Sequence, residues 1–246
     1  YRILLITPAV YRVWAKLRLQ HLQEWVGQWI PPQSYAGRKG VSSEDAWFLT
    51  AIDIEEAFTK HEAIIGGTMD LFKCFDQINR PLLYNLIRRA GIPKRILMAY
   101  FNFQEDLTTM NSLAGSLGQP YKRQCGIPQG CPFSMLFTAL LMRAWIIRME
   151  EMNVTPRVLA DDLLIYASGH NHGSGFKEAM DETHRYLRAM GARVAPSKSY
   201  IFSSSSLARQ WLAVHEWKWL PEGSRIIKVV QSVRDLGSTI SAGGSA

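Results

Sequence analysis

The sequence is poor in cysteine: three in 246 residues, Cys74, Cys125 and Cys131, with no Cys-x-x-Cys spacing. That argues against a disulfide framework or a zinc-finger-like centre and fits reduced thiols in an intracellular protein. Long hydrophobic runs are missing too. No apolar stretch approaches the roughly 18 residues that a membrane span needs, so no membrane partner is expected. The apolar start, Tyr1 to Val10, is too short for a secretory signal and has no cleavage-like site behind it. No internal repeat is visible. Acidic charge is the scarcer sign, with 21 Asp and Glu against 28 Lys and Arg, a net +7 and a pI near 9.4. The excess suits a polyanionic partner such as nucleic acid without demanding one.

What is present is ordinary globular material, 47% hydrophobic and 20% charged, which argues against a disordered or fibrous chain. Residues 61–160 hold 11 basic and 7 acidic side chains and so supply +4 of the +7. The 8 Trp, 9 Tyr and 10 Phe are explained first by core packing and only second by base stacking.

Apolar periodicity predicts a helix over Ala9 to Ile30, ended by Pro31-Pro32, with Arg12, Lys16 and Arg18 on its solvated face. Residues 33–40 read as a loop. A helix over Ser43 to Thr59 is capped by Ser42 or Ser43. Ala63 to Leu71 is a buried strand. Pro81 opens a helix over Leu82 to Ala90, closed by Gly91, and Pro93 opens another reaching toward Met110. Gly115 to Gly130 is loop or hairpin, and Pro132 to Met152 is a long buried helix. Arg157 to Ala167 is a hairpin with Asp161-Asp162 at its turn. A polar loop at 170–175 leads to a helix over Phe176 to Met190, and short strands and turns follow. This order fits an α+β fold, an antiparallel sheet backed by helices, better than a doubly wound parallel sheet.

Three acidic positions stand in strongly apolar surroundings: Asp70 at the end of its strand, and Asp161-Asp162 between Val158-Leu159-Ala160 and Leu163-Leu164-Ile165. Buried carboxylates are costly unless compensated. Shared divalent cations would compensate them, and hard oxygen donors suit Mg²⁺. Two ions about 3.5–4 Å apart can serve a phosphoryl displacement. Read alone, such a doublet is more often a structural turn pair than a catalytic one, since Asp favours turns.

Context decides between these readings. Asp70-Leu71-Phe72-Lys73-Cys74-Phe75-Asp76 is followed by Gly126-Ile127-Pro128-Gln129-Gly130 directly before a long helix, then the Asp-Asp hairpin, then Gly191 and Lys198. In this ordered set the chain resembles the reverse transcriptases, specifically those of non-LTR (LINE-like) retrotransposons, with group II intron enzymes as more distant relatives. The resemblance runs from Tyr1-Arg2 to Gly237. It implies the fingers and palm of a right-hand polymerase. The N-terminal fingers would span 1–61, a first palm segment 62–78, further fingers 79–125, the main palm 126–225 and a primer-grip-like hairpin 226–246.

It also implies roles. Asp70 and Asp161 would bridge two Mg²⁺ ions, with Mn²⁺ a possible substitute. Asp162 would sit nearer the metal rim, and Leu71 would offer its carbonyl oxygen. Asp76 would cap or pair structurally. Phe75 would gate the incoming sugar against a 2′-hydroxyl while remaining a packed core residue. Gly126, Pro128 and Gly130 would let backbone approach a base pair, and Gln129 would bond the nascent pair or template. Lys198 would face departing pyrophosphate. Arg2 would clamp the triphosphate, Arg38 would touch template, and Leu236-Gly237 would begin the primer grip.

The implied partners are an RNA template, a DNA primer and dNTPs, with nuclear action. The chain departs from the family pattern at Leu159, Met135 and Ile3, none of which removes a ligand. The thumb is expected to be absent, with the thumb and a probable endonuclease in the remainder of a longer polyprotein. A catalytically silent RNA or RNA–DNA binding module is the rival, equally served by the positive charge. A metal-dependent nuclease leaves Phe75 and Gln129 unexplained.

Overall fold

A computed structural model describes residues 5–223, 225–235 and 238–241. Two helices, α1 (Ala9–His21) and α2 (Gln23–Trp29), stand where one was expected. At Leu22 the backbone N–H is shared between the carbonyls of Arg18 (3.2 Å) and Leu19 (3.1 Å). This tightened turn bends the path so that Ala15 of α1, Leu22 and Val26 of α2 all reach the core. Arg12, Lys16 and Arg18 are exposed, as expected.

Helix α3 (Ser43–Thr59) begins with a capping box: the Ser42 hydroxyl accepts from the Asp45 N–H, and the Asp45 carboxylate accepts from the Ser42 N–H at 2.6 Å. Strand β1 (Ile64–Asp70) follows, then a short α4 (Cys74–Gln77). Next come α5 (Arg80–Arg89), with its proline in the first turn, and α6 (Lys94–Asp106). Residues 107–122 carry two small ribbons. β2 (Thr108–Thr109) pairs with β5 (Tyr121–Lys122), and between them lie β3 (Ser112–Leu113) and β4 (Ser116–Leu117). Helix α7 (Ser134–Glu151) is buried on most of its circumference, as its near-continuous apolar sequence requires. Strands β6 (Thr155–Leu159) and β7 (Asp162–Ser168) form the expected hairpin, but its turn is Ala160-Asp161 and Asp162 already belongs to β7, where it pairs with Leu159. After α8 (His172–Ala189) come β8 (Tyr200–Ser203), α9 (Ser206–Leu212) and β9 (Lys228–Val230). β10 (Ser232–Asp235) and β11 (Ser238–Ser241) pair as a separate antiparallel hairpin.

The central sheet has the order β6-β7-β1-β8-β9. It is antiparallel except for its last pair: β8 and β9 run parallel, because α9 carries the chain back across before β9 begins. Strand β1 is buried on both faces, and side chains alternate between them. Ile64, Leu164, Tyr166, Tyr200 and Phe202 pack with Ile54 and Ala57 of α3. The opposite face, including Ile65, Met69, Leu163, Ile165 and Ile201, joins the main core with α7 and Phe176 of α8. The sheet's outer edge is also covered. Ser34 bridges Val158 in parallel, the Tyr35 N–H donates to the Val158 carbonyl (2.9 Å), and the Val158 N–H donates to the Gln33 carbonyl (2.9 Å). The architecture is the α+β one expected.

Candidate active site

The register of the sheet sets the acidic positions. Asp70, last in β1, is paired with Asp162, first in β7, and Leu159 is paired with Asp162 across the β6–β7 hairpin. Only Ala160 and Asp161 are left to turn the chain, and Ala160 adopts the left-handed region at φ 59°. For a residue with a Cβ this costs roughly 1–2 kcal/mol, a strain that the pairing on either side holds in place. The Asp70 segment is fastened from its other edge. Its carbonyl accepts from the Ala195 N–H (2.8 Å), its N–H donates to the Ser199 hydroxyl (3.2 Å), and the Phe72 N–H donates to the Arg193 carbonyl (2.8 Å).

A cavity of about 360 Å³ gathers most of the expected residues: Asp70, Leu71, Phe75, Gln129, Asp161 and Lys198 all line it. Asp162 does not. It lines a second cavity of about 170 Å³ together with Asp70, Lys198, Trp47 and Arg157. Successive residues at the hairpin end thus line different cavities, and Asp70, the cross-strand partner of Asp162, borders both. The Lys198 ammonium lies 3.6 Å from the Asp70 carboxylate. The field of the acidic pair is felt at Cys74, whose thiol is pushed up to about 12 by burial and, after that, by Asp161 and Asp70.

Phe75 is half-buried in α4 and packs against the main core. The glycine-rich loop is tied directly to its segment. The Gly126 N–H donates to the Ile78 carbonyl and the Ile127 N–H to the Phe75 carbonyl, both at 2.8 Å. Gly126 is buried at φ 79°, and a Cβ there would stand 2.7 Å from the carbonyl oxygens of Phe75 and Asp76. The chain's own backbone therefore already demands glycine here. Gly130, exposed at φ 104°, meets nothing nearer than 3.5 Å. Pro128 is buried, and its carbonyl accepts from the Ser134 hydroxyl at 2.7 Å, which joins the loop to the first turn of α7.

Asp76 pairs with Arg123 at 2.8 Å, a structural role as expected. Arg38 lies apart from the acidic cavities. It donates to the Pro32 carbonyl (2.8 Å) and lines grooves with Lys39 and with Asp45. Arg2, Leu236 and Gly237 lie outside the described residues.

Sequence reading missed two buried arginines. Arg80 is 3% exposed and donates through Nε to the Gly126 carbonyl at 2.8 Å, so it fixes the glycine-rich loop from below. Arg157 pairs with Asp53 of α3 at 2.5 Å, and it also donates to the hydroxyls of Tyr166, Tyr35 and Thr50. It therefore joins α3 and the 33–36 segment to the hairpin that carries Asp161. Neither arginine differs in sequence from a surface one.

Among the described residues no three His, Cys, Asp or Glu side chains stand close enough to hold a metal ion by themselves. The donor chemistry still fits Mg²⁺, which takes only one or two protein carboxylates and fills its remaining positions with water and phosphate oxygens. Asp70 and Asp161 share the larger cavity, and Asp70 and Asp162 the smaller one.

The family model of reverse transcriptase (RNA-dependent DNA polymerase) matches residues 1–239. The chain belongs to this family. No curated protein matches. Among solved structures, a Candida tropicalis telomerase bound to a TWJ fragment of telomeric RNA matches at TM-score 0.58 and 16% identity, over 80% of this chain and 33% of that one. An apo C. tropicalis telomerase truncated from its C-terminal domain matches at TM-score 0.54 and 18% identity, over 79% and 40%. A Candida albicans telomerase with a TWJ RNA fragment matches at 0.56 and 15%, over 96% and 39%. At such identities the likeness is one of fold, and it extends to the fingers and palm of this reverse transcriptase family. The chain spans 33–40% of the length of these telomerase chains. Among the described residues no helix is long and apolar enough to cross a membrane.

Proposed function

We propose that this reverse transcriptase chain is an RNA-directed DNA polymerase of a non-LTR retrotransposon, extending a DNA primer with dNTPs on an RNA template. The observation that carries the reading is the single cavity shared by Asp70, Asp161, Phe75, Gln129 and Lys198. In this reading the carboxylates of Asp70 and Asp161 hold the divalent cations, with the Leu71 carbonyl as a further donor and Asp162 at the rim. The cations, when bound, supply activation of the primer 3′-hydroxyl and charge stabilisation on the phosphate.

The remaining steps belong to the chain's own residues. Phe75, fixed by its packing, excludes a ribose 2′-hydroxyl. Gln129 offers a donor and an acceptor to the nascent pair. Lys198 sits beside Asp70 and neutralises or protonates the departing pyrophosphate. Arg2 clamps the triphosphate, and Arg38, in the groove that it lines with Thr155 and Pro156 of β6, meets template. Gly126, Pro128, Gly130, Leu236 and Gly237 are assigned to template and primer, and nuclear action is carried by the resemblance alone.

A second reading, a catalytically silent module that binds RNA or RNA–DNA duplex, is served equally well by the net charge of +7. Primer extension on an RNA template in Mg²⁺ and Mn²⁺ separates the two. The polymerase reading expects extension abolished by a chelator and lowered at least roughly 10³-fold by Asp161→Asn. Template binding without extension, in this chain and in one lengthened at its C terminus, would give the binding module.

A further inference from the structure

Arg80, the first residue of α5, is a buried cation with little counter-charge. Among the described residues its ion-pair partner is Glu105, which is exposed and stands 3.4 Å away. Burying a guanidinium is costly, and an exposed partner at that distance offsets little of the cost. Backbone carbonyls do the rest. Nε donates to Gly126 at 2.8 Å, Nη1 to Gln104 at 3.4 Å and Nη2 to Cys125 at 3.5 Å. A side chain at the start of a helix leans back along the chain, and this one reaches the loop that lies against α4.

The N–H groups of the same loop are taken by α4 and its exit. Gly126 donates to the Ile78 carbonyl and Ile127 to the Phe75 carbonyl, both at 2.8 Å. Arg80 therefore fastens through its carbonyls a loop that residues 75–78 fasten through its amides. The two segments form one body. Phe75 stands on one part of that body, Gln129 follows two residues after Ile127 on the other, and both line the cavity that holds Asp70 and Asp161. The carboxylates are placed differently, by the register of β1, β6 and β7. The slot between Phe75 and Gln129 is thus set by a device separate from the one that sets the metal-binding positions.

Resting on the polymerase reading, we infer that Arg80 is a positioning residue that fixes the width of this slot and so determines how strictly the site rejects a ribonucleotide. It touches no substrate and acts through the carbonyls of Cys125 and Gly126. When its hold loosens, the loop shifts against Phe75 while Asp70 and Asp161 stay in register. A displacement of about 1 Å is worth up to about 10²-fold in a reaction step. Because the displaced wall is the one that meets the sugar, the loss falls on selection between deoxyribose and ribose more than on the rate itself.

Arg80→Lys keeps the buried charge and loses the forked donors. Single-turnover incorporation of a dNTP and of the matching rNTP, on a DNA primer paired to an RNA template, is measured for the parent, Arg80→Lys, Phe75→Val and the double variant. The expected result is a dNTP-over-rNTP preference lowered at least about tenfold by Arg80→Lys, with no further loss when that change is added to Phe75→Val. A residue that only supports the fold would slow both nucleotides by the same factor. An unchanged preference in a parent that extends primers overturns the inference and leaves the polymerase reading standing. No extension by the parent overturns both. Hydrogen exchange at the Gly126 and Ile127 amides of the parent serves even where Arg80→Lys does not fold. Protection of at least roughly 10²-fold supports the fastened loop, and exchange at the rate of an open segment overturns it.

Discussion

Lys198 holds its ammonium 3.6 Å from a carboxylate oxygen of Asp70, although the lysine side chain is 64% exposed and the aspartate 25%. An ammonium so placed competes with a divalent cation for the same oxygen. In the proposed reaction it would also supply the positive charge that a leaving phosphate group needs. The two effects have opposite signs, and that makes the pair testable. Lys198→Ala should bind Mn²⁺ several-fold tighter in the absence of nucleotide, because a like charge is gone from the site. The same variant should incorporate nucleotide slower by about 10²-fold. Its melting temperature should hardly move, since exposed pairs contribute about 0–1 kcal/mol. Mn²⁺ titration by electron paramagnetic resonance and single-turnover incorporation measure the two arms. Unchanged metal affinity would show that Lys198 does not compete for Asp70.

The glycine-rich loop separates backbone crowding from exposure. Gly126→Ala must combine a left-handed φ of 79° with a Cβ 2.7 Å from two carbonyl oxygens. The expected destabilisation is about 3 kcal/mol or more, from the conformation together with overpacking. Gly130→Ala has only its φ of 104° to contend with, and its nearest neighbour is 3.5 Å away. It should cost about 1–2 kcal/mol. Urea denaturation midpoints of the two variants decide the ranking. A Gly126→Ala protein as stable as Gly130→Ala would mean that the loop can move off the Phe75–Asp76 carbonyls.

The difference between those glycines marks the limit of what the sequence discloses. The Asp161-Asp162 hairpin was legible because a polar pair interrupts two apolar triplets, and helix α3 because Ser42 and Asp45 stand at capping distance. Such signals are local. The reason for Gly126 is tertiary: its crowding carbonyls belong to residues 75 and 76, some 50 positions earlier. Arg157 and its partner Asp53 are 104 residues apart, and nothing in either neighbourhood announces burial. The break at Leu22 was hidden because the apolar period of α1 continues into α2. The parallel placement of β9 depends on the crossover through α9, not on the residues of β9 itself. The separation of Asp161 from Asp162 needed the hairpin register: a one-residue change of register would exchange the two faces.

The buried pair Arg157–Asp53 is the firmest link between α3 and the acidic hairpin, with the arginine side chain 9% exposed and the aspartate 32%. Removing one partner of a fully buried pair costs roughly 3–5 kcal/mol. Because Asp53 is about a third open to solvent, Asp53→Ala should cost less, about 2 kcal/mol. Asp53→Leu/Arg157→Met removes both charges at similar volume and should recover most of that loss. With the single variants Asp53→Leu and Arg157→Met added, the set completes a double-mutant cycle in urea that isolates the coupling. If the double variant is no more stable than Asp53→Ala, the remaining bonds to Tyr35, Thr50 and Tyr166 carry the link instead.

His184 makes stability depend on pH in a defined window. Its folded-state pKa, about 4, lies below the ordinary 6.5 because burial disfavours the imidazolium. Between those values the unfolded chain binds more protons than the folded one, so stability falls as pH falls. The contribution is complete above pH 6.5 and is lost progressively down to about pH 4, where the folded-state ring also protonates. The full span amounts to about 3 kcal/mol. Denaturation of the parent and of His184→Phe at pH 7 and at about pH 4.5 separates this group from the titrating carboxylates, which both proteins share. The parent should lose about 2–3 kcal/mol more than the variant across that interval. Parallel losses would mean that solvent reaches the ring.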